Sequence, residues 1–166
     1  MAKDAKVLLT EQLNALVRQI QALDRRLLAW HSQDQASQRL ATVPGVGVIT
    51  ATALAASVTE PQAFRSGREF SASLGLVPRQ NSSGGKDKLG RISKMGDRYF
   101  RKLLVVGATS VVRRARTADT TVANWVRNLL ARKPTRLVTV AMANKTAWIA
   151  WAVLARGKTY RLPATI

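Results

Sequence analysis

Leu9, Leu13, Leu16, Ile20, Leu23, Leu27 and Trp30 recur at alternating spacings of four and three residues. This is an a/d heptad sustained for about three repeats, with polar residues between, and no Gly or Pro interrupts it before Pro44. The pattern predicts one long helix over residues 5–35. Its stripe suits either a coiled coil joining two chains or packing along the helix's own domain, and the sequence leaves both open.

The remainder reads as further helices separated by Gly and Pro. The stretch "LATVPGVGVITATALAASV" brings an apolar lead-in to Pro44-Gly45-Val46-Gly47, then a small-residue helix from about Val48. The arrangement resembles a helix-hairpin-helix, whose Gly-x-Gly turn offers free backbone N–H groups and a helix dipole to a DNA phosphate. On this reading Gly45 and Gly47 bind nucleic acid. A close-packed turn using Ala51, Ala53, Ala55 and Ala56 accounts for the same residues without a ligand. Glu60-Pro61 breaks the helix. Ser66 or Gly67 starts a short helix through Phe70 and Leu74, Gly75 stops it, and Pro78 keeps the chain extended. Asp97 is placed to cap a helix carrying Phe100, Leu103, Leu104, Ala108, Val111 and Val112. Helices over about 121–132 and 135–156 follow, the last with Val138, Met142, Ile149 and Val153 on one stripe and Gly157 as its stop. Alternating strand patterns are absent, so the predicted fold is all-α. A coiled-coil helix over 1–38 precedes a compact helical domain over 39–157 and a frayed tail over 158–166.

Charge constrains partners more than fold. The chain has 166 residues, 27 Lys and Arg against nine Asp and Glu, and a formal charge of +18. That excess favours nucleic acid or another anionic surface. Without cysteine there is neither a disulfide framework nor a thiolate metal site, and a single histidine, His31, makes zinc improbable. The N-terminus lacks the apolar core of a signal peptide, and the longest nearly apolar run, "TAWIAWAVLA", is too short for a bilayer. The expectation is a soluble cytoplasmic protein without a membrane partner.

Half of the net charge concentrates in one segment. Arg79, Lys86, Lys88, Arg91, Lys94, Arg98, Arg101, Lys102, Arg113, Arg114 and Arg116 face only Asp87 and Asp97, leaving +9. A solvated face normally mixes signs; this one does not, which points to phosphate contact. Within it lies "QNSSGGKDKLGRISKMG", residues 80–96, with four of the chain's ten glycines and three serines. It cannot be a core helix or a buried strand, so it reads as a long basic Gly/Ser loop. Long loops in small domains are often functional. Its glycines would let backbone N–H groups approach a phosphate while Lys and Arg neutralise it. Ser82 or Ser83 could donate a hydrogen bond. Either would need a base, a metal or a pressed electrophile to act as nucleophile.

The segments "VPGVGVITATALAA", "FRSGREFSASLGLVPRQNSSGGKDKLGRISKMGDRYFRKLL" and "ANKTAWIAWAVLARG" resemble the C-terminal transposase domain of one insertion-sequence family, the transposases or DNA recombinases guided by a structured bridge RNA. The likeness runs from about Leu40 to Arg156, and the heptad helix resembles the coiled coil preceding that domain. The resemblance implies a serine that attacks DNA and forms a phosphoserine intermediate. It sits in a Ser-Gly motif before a Gly-x-Ile-Ser-Lys-x-Gly element, here Gly90 to Gly96. Ser83 fits best and Ser82 second. The resemblance also implies a composite site for DNA transposition and recombination, completed by an RNase-H-like domain whose four carboxylates bind Mg2+. Nothing in this sequence matches that domain, so this chain is expected to hold no cofactor and to be inactive alone. DNA, a structured guide RNA and further copies of the chain are its implied partners, in a bacterial cytoplasm and on the nucleoid. The competing expectation is a helix-hairpin-helix module, or transposase remnant, that binds nucleic acid without chemistry.

Overall fold

The computed structural model describes residues 2–80 and 89–161. The first helix, α1, spans Ala2–Gln33. It stops one residue short of Asp34, which is extended (φ −98°, ψ 110°) and accepts a hydrogen bond from the Ser37 amide at 2.7 Å. This cap starts α2, Gln35–Ala41, so the expected single helix to residue 35 is broken and the apolar lead-in is itself helical. Ser37 and Leu40 of α2 are buried, whereas the α1 stripe is not. The contacts of α1 are with α2 and α3. Packing of the heptad stripe along its own domain is therefore not what is found.

After the turn at 42–47 comes α3, Val48–Ser57, then a 3₁₀ turn at Pro61–Ala63 and α4, Gly67–Ser73. Ser66 caps α4 by accepting from the Glu69 amide at 3.3 Å. The Glu69 carboxylate accepts from the Arg65 amide at 2.8 Å. These paired bonds occupy orphan donors at the helix start. Asp97 caps α5, Arg98–Arg114, by accepting from the Phe100 amide at 2.9 Å, as the sequence suggests. Thr120 caps α6, Thr121–Leu130, and Gly157 ends α7, Thr135–Arg156, at φ +62°.

α7 is the central helix, touching α2, α4, α5, α6 and the 3₁₀ turn. Its length and hydropathy match those of a bilayer span, although the ten-residue apolar run suggested otherwise. Here Val138, Met142, Ala143, Ala147, Ala150 and Val153 bury its faces in the core. The small side chains permit close approach: a Cβ on Gly67 would lie 2.9 Å from the Trp148 Cα. Trp148 donates to Ser71 Oγ and Trp151 donates to the Pro61 carbonyl, locking α7 to α4 and the 3₁₀ turn. Within the segment after α7, the Tyr160 amide donates to Thr42 Oγ1 at 3.0 Å; residues 162–166 of the expected frayed tail lie outside the described residues.

Among the described residues the fold is all-α apart from one small hairpin. β1, Pro78–Gln80, pairs antiparallel with β2, Leu89–Ile92. The expected loop over 80–96 is thus strand at its beginning and through 89–92. No alternation announced this because β1 is exposed throughout and has no core face to mark.

Candidate nucleic-acid interface

The hairpin is held at its base by backbone bonds to the end of α4. The Ser93 amide donates to the Val77 carbonyl at 2.9 Å, Lys94 to Gly75 at 3.2 Å, and Asp97 to Ser73 at 3.3 Å. The Arg101 guanidinium donates to the Leu74 carbonyl at 2.8 Å. Of these acceptors, Ser73 is the last residue of α4 and Leu74 its C-cap, whose carbonyls the helix end leaves free. Two glycines make the approach feasible. At Gly75 (φ +69°) a Cβ would lie 2.2 Å from the Met95 carbonyl oxygen, and at Gly96 (φ +98°) 1.7 Å from that of Ser73. The Gly90–Gly96 element is therefore a dock that fixes the hairpin against α4 and the first turn of α5.

Cations surround this dock. Arg79, Arg91, Lys94, Arg98 and Lys102 are exposed, and none has an ion-pair partner among the described residues. Pro78 pairs with Ile92 and Gln80 with Leu89, so Gly90 and Arg91 together oppose Arg79 across a bulge. Facing cations repel, and an anion between strands would relieve this. Arg79 also donates to the Ser93 carbonyl at 3.2 Å. Lys94 adopts φ +55°, a left-handed conformation that costs a non-glycine residue energy. Arg98 and Lys102 lie one turn apart on the same face of α5.

The expected site residues divide. Arg101 is half-buried and engaged with Leu74, so it braces the dock. Ser82, Ser83, Lys86 and Lys88 lie outside the described residues; in sequence they fall between the two strands. Arg113, Arg114 and Arg116 sit at the other end of α5, about 24 Å along its axis from Arg98, so the basic run is not one cradle. Gly45 (φ +86°) packs on Gly107 of α5, where a Cβ would meet the Gly45 carbonyl oxygen at 1.8 Å. Gly47 is exposed and begins α3 without a side-chain cap. The turn borders a groove of about 760 Å³ lined by apolar residues such as Val46, Ile49, Val106 and Val111, with Arg114 as its cation. Sequence reasoning passed over Met95 and Tyr99, 69% and 54% exposed beside the dock. An aromatic interleaved with cations in "DRYFRK" was the available signal. It also passed over Arg127, which bonds the Ala115 and Ala118 carbonyls and so caps α5.

Among the described residues no group of three or more His, Asp or Glu side chains is placed to hold a metal ion. The described residues therefore offer no such cluster to the divalent cation that the resemblance implies for the complete enzyme.

Residues 37–123 match the profile of the transposase IS116/IS110/IS902 family. The chain belongs to that family. A transposase assigned in Sinorhizobium fredii is 43% identical over 162 residues, covering 97% of this chain and 42% of the relative. A family 20 transposase assigned in Pseudomonas aeruginosa is 46% identical over 153 residues, 92% and 45% of the two chains. The transposase of insertion sequence element IS1328 from Yersinia enterocolitica is 42% identical over 145 residues, 87% and 43% of the two. The chain thus spans less than half the length of these curated relatives. The family match ends within α6, so it takes in the dock and all of α5 but not α7.

Proposed function

We propose that this chain is the DNA-binding portion of an insertion-sequence transposase and supplies a serine nucleophile to a composite strand-transfer site. The observation that carries the reading is the set of exposed cations around the hairpin dock, Arg79, Arg91, Lys94, Arg98 and Lys102, none of which has an ion-pair partner among the described residues. Arg79 precedes the serines in sequence and the other four follow them, so the cations bracket the serine segment along the chain. Ser83 is the nucleophile, with Ser82 second. In that step the serine Oγ–phosphorus bond forms as a bridging P–O bond of the DNA strand breaks. The serine gives up a proton and the leaving alkoxide takes one. The family resemblance supports a bridge-RNA partner. The exposed heptad stripe of α1 supports self-association. The relatives' names support action in transposition, and the site of action is bacterial cytoplasmic DNA.

The resemblance assigns the metal-binding carboxylates to an RNase-H-like domain that this sequence does not match, so on this reading the chain alone binds DNA without cleaving it. On this reading chemistry requires the part of the longer relatives that this chain does not span. The test is adduct formation by this chain joined to that part, with target DNA and guide RNA. A covalent protein–DNA adduct should form, vanish in Ser83→Ala and persist in Ser82→Ala. An adduct that survives the double substitution removes the role from these serines.

A further inference from the structure

The α1 side chains Leu9, Leu13, Leu16, Ile20, Leu23, Leu27 and Trp30 are between 36% and 65% exposed. We infer that this face pairs antiparallel with α1 of a second copy of the chain, in the register that sets Leu13 opposite the partner's Leu23. The inference rests on the proposed self-association and adds its direction.

Three observations favour this direction over a parallel, in-register pair. The first is the distribution of charge. Beyond α1 there are 22 Lys and Arg against six Asp and Glu, +16 of the chain's +18. α1 joins this basic body through α2 and α3 at its C-terminal end. A parallel pair would set two such bodies side by side. In the antiparallel register Gln33 lies opposite the partner's Lys3, which places the two helix ends about 45 Å apart along the axis. That separation is several times the screening length of roughly 8–10 Å at physiological salt.

The second is the seam. The a positions are Lys6, Leu13, Ile20 and Leu27; the d positions are Leu9, Leu16, Leu23 and Trp30. A parallel pair stacks like on like, so Lys6 meets the partner's Lys6 inside the seam. Antiparallel pairing sets a against d. Leu9 then meets the partner's Leu27, Leu13 the partner's Leu23, Leu16 the partner's Ile20, and Lys6 the face of the partner's Trp30. A cation over an indole is attractive where two cations repel. Shifting this register by one heptad in either direction leaves apolar layers unpaired at one end.

The third is the flank. Val17 is an apolar residue at an e position, 42% exposed. In the antiparallel pair it lies one residue from the two-fold axis, which passes at Arg18, and so sits beside the partner's Val17 on the same flank of the seam. In the parallel pair it faces the partner's Gln12, and Arg26 faces the partner's His31, with no opposite charges matched.

The chain has no cysteine, so single-cysteine labelling is unambiguous. Glu11→Cys, Arg18→Cys and Arg25→Cys place spin labels at three f positions, one heptad apart and away from the seam. Pulsed dipolar distances are then measured on each singly labelled 166-residue chain. The antiparallel pair should give long, short and long distances, because the outer sites carry an axial offset of about 21 Å that the middle site lacks. Three equal distances would mean a parallel pair and overturn the inference while leaving self-association standing. Absence of dipolar coupling with a monomeric sedimentation mass would instead remove the self-association, and the pairing with it.

Discussion

Gly96→Ala should disrupt the hairpin dock for two separable reasons. At φ +98° an L side chain is strained, which costs about 1–3 kcal/mol. The added Cβ would also stand 1.7 Å from the Ser73 carbonyl oxygen. That atom is backbone at the end of α4 and already accepts from the Asp97 amide at 3.3 Å. It cannot swing aside as a flexible side chain could, so relief must part the two segments. Overpacking of this kind typically costs about 1–3 kcal/mol. Together the terms reach roughly 2–6 kcal/mol, a large share of a stability of about 5–15 kcal/mol. Urea denaturation should show a lowered midpoint, and hydrogen exchange should show faster loss at the Lys94 and Asp97 amides than in α7. Gly47→Ala is the control, since nothing lies within 4 Å of its Cβ; it should cost at most about 1 kcal/mol as a weaker helix cap. If Gly96→Ala stays within about 0.5 kcal/mol of the parent, as ordinary surface substitutions do, with exchange unchanged, the dock as described is wrong.

Arg101→Ala should destabilise the chain by about 1–3 kcal/mol, because the partly buried Leu74 carbonyl loses a charged donor. Arg98→Ala should leave the urea midpoint unchanged and weaken DNA binding instead. Leu16→Asp with Leu23→Asp should turn an associating chain into a monomer by sedimentation, with the circular dichroism of the α2–α7 body retained. Trp151→Phe should lower stability by about 1 kcal/mol, the indole bond to the Pro61 carbonyl being lost.

Helix existence was readable in the sequence because apolar periodicity and caps act locally. Asp97, the Gly67 start and the Gly157 stop stand where side-chain chemistry placed them. The break at Asp34 was missed because no Gly or Pro marks it; the cap shows only in the bond that Asp34 accepts from the Ser37 amide. The hairpin was missed for a different reason: strand alternation records a buried face, and β1 has none. Of the site, the charge was legible and its geometry was not. Arg101 looks like Arg98 in sequence. Only the fold turns one inward to Leu74 and leaves the other in solvent. Gly75 and Gly96 read as loop flexibility, whereas in the fold they are points of closest backbone approach.

The central claim is that the cations around the dock contact phosphate. It is tested most directly by the salt dependence of duplex DNA binding for the parent chain and for a variant with Arg91, Lys94, Arg98 and Lys102 all replaced by Ala. If all four contact phosphate, the log–log slope should become shallower by roughly 3 to 4 units, at about 0.9 per phosphate, with the fold unchanged by circular dichroism. A folded variant that keeps the parent's slope and affinity would contradict the account.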